Sequence, residues 1–231
     1  MGIPAVIALA GGILAAFWTP SHGTRSLIQH FAAGVVLAAL AVELLPEISR
    51  ERAPGLGLAG AFALGSLFMY ALKLWTMRME HAASVSGAAK GLSTGLLLAT
   101  FIDVATDGFI IGAGFAAGGE TGTILALGLS VELLFLGLAL TSSATAGWRI
   151  VVISGALGLT VLSFAVLGNL LLAGASHAVI GGTLAFSAAA LLYLVTEELL
   201  MEAHEVEEKP ISTLVLFGGF LTFWSIQLAG S

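Results

Sequence analysis

The chain has 231 residues, of which 58% are hydrophobic and only 10% charged, with a mean hydropathy of +1.05. That is too little polar surface to cover a soluble domain, so composition places the chain in a bilayer. A net charge of −6 with no basic cluster excludes nucleic acid as a partner, and the absence of cysteine excludes a disulfide scaffold, a thiolate zinc site and thiol catalysis.

A span needs about 20 mainly apolar residues to cross roughly 30 Å of hydrocarbon. On that ruler the chain is an all-α polytopic membrane protein, a single transmembrane domain over 1–231 with eight transmembrane helices. The spans are expected near 2–18, 28–47, 55–75, 91–115, 122–143, 149–172, 178–201 and 211–229, joined by short loops marked by charge, Gly, Pro or Ser. The first segment lacks the basic stretch of a signal peptide and is apolar from Ile3, so it reads as a retained span. With the N-terminus outside, loops holding Arg25, Lys73, Arg78, Lys90, Arg149 and Lys209 face the cytoplasm and only Arg50 and Arg52 face out. That distribution favours an inner or plasma membrane protein with both termini outside.

The second span opens with His30 and closes with Glu43 and Glu47. His30 reads either as a solvated boundary residue or as a ligand, and Glu47 either as a ligand or as an ion-pair partner of Arg50. Glu43 lies about a turn deeper. The fourth carries Asp103 near its centre and Asp107 one turn on, at i+4 and therefore on the same face. Its glycines 108, 112 and 114 read as close helix packing. The fifth carries Glu132 at its centre. Joined by a short turn, the fourth and fifth helices should lie antiparallel, bringing Asp103, Asp107 and Glu132 to one depth.

Each ionised acid at a helix centre costs about 2.5–3.5 kcal/mol, so three without compensation cost on the order of 8–10 kcal/mol. No Lys, Arg or His lies between Gly91 and Trp148 to offset them. Compensation must come from protons, with the acids hydrogen-bonded to groups such as Thr100, Thr106, Ser130 or Asn169, from a metal ion, from water, or from another helix. Oxygen ligands clustered at one depth suit a divalent ion, and the cation is the reading adopted here.

The seventh span ends in Glu197, Glu198, Glu202 and His204, followed by Glu205, Glu207 and Glu208. The last three read as a solvated helix end; Glu198, Glu202 and His204 lie closer to the membrane and form a candidate exit station. Val42-Glu43-Leu44-Leu45-Pro46-Glu47 also echoes Glu197-Glu198-Leu199-Leu200-Met201-Glu202. Spans two and seven run in opposite directions, so the echo is either chance or the trace of an inverted repeat around the fourth and fifth helices.

The second span, from His30-Phe-Ala-Ala-Gly34-Val-Val-Leu37 to Glu43-Leu44-Leu45-Pro46-Glu47, and the seventh, from Leu192-Tyr193 through Glu197-Glu198-Leu199-Leu200 to Glu202-Ala203-His204, resemble those of ZIP (Zrt/Irt-like) metal transporters. The resemblance implies movement of a divalent metal, typically zinc, iron or manganese, toward the cytoplasm through a site between the fourth and fifth spans. Where that family carries His-Asn-x-Pro-Glu/Asp-Gly, this chain reads Asp103-Val104-Ala105-Thr106-Asp107-Gly108. Of the fifth-span motif only Glu132 has a counterpart, with Leu133 and Leu136 at expected ligand positions. Replacing imidazole by carboxylate makes the expected site all oxygen and shifts its preference toward Mn²⁺ or Fe²⁺, with zinc still competing.

The expected function is thus divalent cation transport without covalent chemistry or a prosthetic group, the metal being substrate. The expected route runs past Glu47 and Glu43 to the midplane acids and out past Glu198, Glu202 and His204, as carrier or channel. A non-conducting metal sensor or subunit of the same fold is the first alternative. An intramembrane metal-dependent hydrolase is the second. Small-residue faces could also pair two copies into a homodimer.

Overall fold

In the computed structural model, which describes residues 1–18, 20–85, 94–140, 147–204 and 210–230, the chain forms eight helices in sequence. They are α1 (Gly2–Phe17), α2 (His22–Ala38, continuing through Ala39–Leu44 and Leu45–Arg50), α3 (Gly55–Val85) and α4 (Thr94–Ala117). After these come α5 (Gly119–Ala139), α6 (Trp148–Leu172), α7 (His177–Tyr193, continuing through Leu194–Leu199 and Leu200–Ala203) and α8 (Pro210–Gly230). No strand occurs among the described residues. Seven helices are long and apolar enough to cross a membrane, which makes this an integral membrane protein. The first expected span is shorter: α1 has 16 residues, about 24 Å at 1.5 Å per residue, roughly a turn less than the hydrocarbon thickness.

The helix ends follow local chemistry. Ser21 caps α2 by accepting the Thr24 amide (3.2 Å), and Ser176 caps α7 by accepting that of Val179 (3.4 Å). The turn between α4 and α5 is a single residue, Gly118, so these helices are antiparallel neighbours as expected. Helix α3 runs further than the sequence indicates, to Val85, so Lys73 and Arg78 lie on a helix rather than in a loop.

Two of the helices share an unusual device. After 17 residues of α-helix, α2 widens into a π-helical turn over Ala39–Leu44, and α7 does the same over Leu194–Leu199. In both, the residue after the turn bonds five back, Leu45 to Leu40 and Leu200 to Val195. Pro46 supplies part of the cause in α2. It has no amide to give the Val42 carbonyl, and its ring crowds that carbonyl. The Gln227 side chain donates to Val42 O instead (3.4 Å). The correspondence extends from cap to final turn without a gap: Ser21, His22, Phe31, Ala33, Leu37, Glu43, Leu44, Leu45 and Glu47 each recur as the same residue type 155 positions later.

Helices α2, α5 and α7 are the most enclosed, while α3 and α8 lie outermost. Contacts fall into matched sets. Helix α2 packs on α8 as α7 packs on α3, and α1 packs on α5 as α6 packs on α4, with α1 against α6 and α4 against α5 between them. The α4–α6 crossing is tight because Gly108 and Gly112 leave no side chain there. A Cβ on either would run into the Val161 or Ala165 carbonyl. The expected packing role of these glycines is therefore what the structure shows. It presses α4 against α6 on one side and leaves its acidic face turned the other way.

Candidate metal site

Asp103 and Asp107 project from one face of α4, a turn apart, and meet Glu132 from the antiparallel α5. One carboxylate oxygen from each of the three lies within 4.8 Å of the others. Asp107 and Glu132 are buried and Asp103 is half-buried. Asp107 Oδ2 is enclosed without a hydrogen-bond partner. Two hydroxyls considered as partners for protonated acids commit their hydrogens elsewhere: Thr106 donates to Ile102 O (3.0 Å) and Ser130 to Ala126 O, each within its own helix. Three oxygens each about 2.1–2.2 Å from one ion and spaced evenly around it stand roughly 3.7 Å apart, so a contraction of up to about 1 Å would let all three share a cation.

A cavity of about 380 Å³ reaches this cluster, lined by Gln29 and Ala32 of α2, Met69, Lys73 and Thr76 of α3, Thr100 and Asp103 of α4, Glu132 and Phe135 of α5, and Tyr193, Glu197 and Glu198 of α7. These residues lie in the first halves of α2 and α4, the middle and second half of α3, and the second halves of α5 and α7. Since successive helices alternate in direction, all belong to the end of the molecule where α2 begins. Asp103 and Glu132 face the cavity; Asp107 is one turn beyond.

Glu198, expected at an exit station, shares the cavity wall with Asp103 and Glu132. Its neighbour Glu197 forms an ion pair with Lys73, whose ammonium also lies 5.9 Å from the Tyr193 ring centre. The sequence reading missed Lys73, Glu197, Gln29 and Tyr193 as cavity residues. Helices α4 and α5 carry no cation of their own among the described residues, and the one that lines the cavity, Lys73, comes from another helix, α3, where it pairs with Glu197. Nothing in the local pattern marks Gln29 or Tyr193.

Glu43 and Glu47 are buried at the opposite end, apart from the cavity. Glu47 pairs with Arg50 (2.9 Å), as the ion-pair reading expected. A third buried acid, Glu51, continues the i, i+4 spacing and meets His177 Nδ1 at 2.7 Å. That spacing, 43, 47 and 51, was visible in the sequence.

His30, read either as a solvated boundary residue or as a ligand, is 4% exposed and stands edge-to-face with His204 at 5.3 Å between ring centres. Glu202 lies on the last turn of α7 with its side chain outside the described residues, as are Glu205, Glu207 and Glu208. No known family model matches the chain, and no curated protein matches its sequence.

Proposed function

We propose that this protein moves divalent metal cations across a membrane, toward the cytoplasm, through Asp103, Asp107 and Glu132. The observation that carries the reading is the convergence of these three carboxylates at mid-helix depth, with a cavity leading to them from the end where α2 begins. Three acids in a low-dielectric setting are costly unless a cation joins them. A cavity that reaches a midplane site from one end, beside buried acids near the other, is what alternating access requires of one of its two states.

The all-oxygen donor set favours Mn²⁺ or Fe²⁺ and leaves Zn²⁺ as a competitor. The matched caps, π-turns and helix pairings support an inverted repeat in which α2 corresponds to α7 and α3 to α8, with α1 as the eighth, short span. With both termini outside, the cavity opens to the cytoplasm and the Glu43, Glu47 and Glu51 column faces out. Membership of the ZIP family accords with this arrangement and with the motifs of α2 and α7. In this reading the protein is no enzyme: the acids bind and release the ion, and Lys73 offsets negative charge when the ion has left.

The test is uptake of Mn²⁺, Fe²⁺, Zn²⁺ and Cd²⁺ into sealed proteoliposomes, comparing the native chain with Asp103→Ala and Glu132→Ala. We expect uptake that both substitutions abolish. Uptake indifferent to both would defeat the carboxylate pathway, and binding without uptake would make the protein a metal sensor.

A further inference from the structure

A second cavity, of about 640 Å³, lies away from the carboxylate cluster, where the pair α1 and α5 meets the pair α2 and α8. It opens sideways as a groove, at whose edge Leu127 is 40% and Ile226 59% exposed. Three hydroxyls line it, and each is turned back on its own helix. Thr123 donates to Gly119 O (2.7 Å), Ser130 to Ala126 O and Thr222 to Gly218 O (2.7 Å). The Gln227 side chain likewise gives a hydrogen to Val42 O. With those hydrogens committed, the wall that remains is mainly hydrocarbon.

Polarity is graded along the groove. Glu120, Thr123 and Gln227 lie at one end, where α5 begins and α8 finishes, while Val35, Val131 and Leu134 lie toward the middle of the bundle. Glu120 and Leu134 stand about 21 Å apart along α5 at 1.5 Å per residue. Half of a bilayer with its headgroups measures about 20–22 Å. The groove therefore runs the depth of one leaflet, from headgroup level to midplane. Glu120, at its mouth, is exposed and is the one charged residue in the wall, and among the described residues it has no ion-pair partner.

We propose that this groove binds one phospholipid with an amine headgroup, a chain lying along α5 and the ammonium beside the Glu120 carboxylate. Charge complementarity selects the headgroup: an ammonium gains an acid at the mouth, whereas an anionic headgroup meets a like charge and no Lys or Arg. The volume lies within the roughly 300–1,000 Å³ of sites that enclose organic ligands. An acid in the first turn of α5 also favours that helix's own N-terminus, but such a role makes no distinction between lipids. The site is separate from the carboxylate cavity, and the proposal does not rest on transport.

The experiment takes the full chain in detergent, stripped of lipid and free of metal, and titrates it with dioleoyl phosphatidylethanolamine or dioleoyl phosphatidylglycerol, counting bound lipids by native mass spectrometry. We expect one tightly held lipid per chain, with the amine headgroup preferred about two- to fivefold, the scale of an exposed charge pair. Glu120→Gln should abolish that preference while lipid still binds. Ile124→Trp fills the middle of the groove and should weaken the first binding step by about tenfold or more. Because Glu120 is exposed, its variant decides the matter alone if Ile124→Trp does not fold. Equal binding of the two lipids by the native chain, a preference unchanged in Glu120→Gln, or a first step that a folded Ile124→Trp leaves intact overturns the proposal. So does a dimer that excludes lipid and that Ile124→Trp dissociates, which would give the groove to a second copy of the chain.

Discussion

The π-turns of α2 and α7 start from nearly the same residues and end in opposite surroundings. Both follow 17 residues of α-helix behind a serine cap, and both carry Glu-Leu-Leu-x-Glu. Yet Glu43 is packed away at the closed end, while Glu198, its counterpart, looks into a cavity shared with Asp103 and Glu132. A local device can therefore be specified twice by sequence and receive its role from which end of the bundle the neighbouring helices leave open. A π-turn also displaces the residues that follow it relative to an α-helix, and such turns often stand at functional positions.

The comparison breaks most visibly in metal binding. Asp103→Asn should weaken Mn²⁺ binding by about 100-fold or more, the scale expected when a ligand itself is lost rather than its support. Glu43→Gln should leave the same isotherm within about twofold, since it removes no ligand at the cavity. Equal losses would mean that the two ends are not distinct.

Accessibility gives the next effect, and the lack of cysteine makes it clean to read. Glu197→Cys should react rapidly with a water-soluble thiol reagent. Glu43→Cys should lag by about 30-fold, because it reacts only when the packed end opens locally, at a cost of about 2 kcal/mol.

A smaller change sharpens the electrostatics of the open end. Lys73 and Glu197 are both more than a third exposed, at 35% and 41%, so their ion pair contributes little to stability. Removing the cation still makes the cavity more negative. Lys73→Met should tighten divalent binding about two- to fivefold, the equivalent of 0.4–1 kcal/mol. Weaker binding would make Lys73 a support of the site rather than its competitor.

The least effect belongs to the closed end. Gln227→Leu leaves Val42 O, already without the Pro46 amide, without its side-chain donor, and should lower unfolding stability in detergent by about 1 kcal/mol.

The sequence by itself determined the helices and some of their borders, because bilayer thickness and apolar run length leave little freedom: α6 was expected at 149–172 and occupies Trp148–Leu172, although α2 begins six residues before and α3 ends ten residues after the expected border. It also determined that Asp103, Asp107 and Glu132 meet, since i+4 spacing and a one-residue turn between antiparallel helices suffice. Only the tertiary structure decided that Glu198 and Lys73 belong beside them, that Glu43 does not, and that His30 meets His204. Those outcomes depend on which helices pack together and which end of the bundle they leave open. Hydrophobic pattern, which records burial along each helix, carries no record of its neighbours.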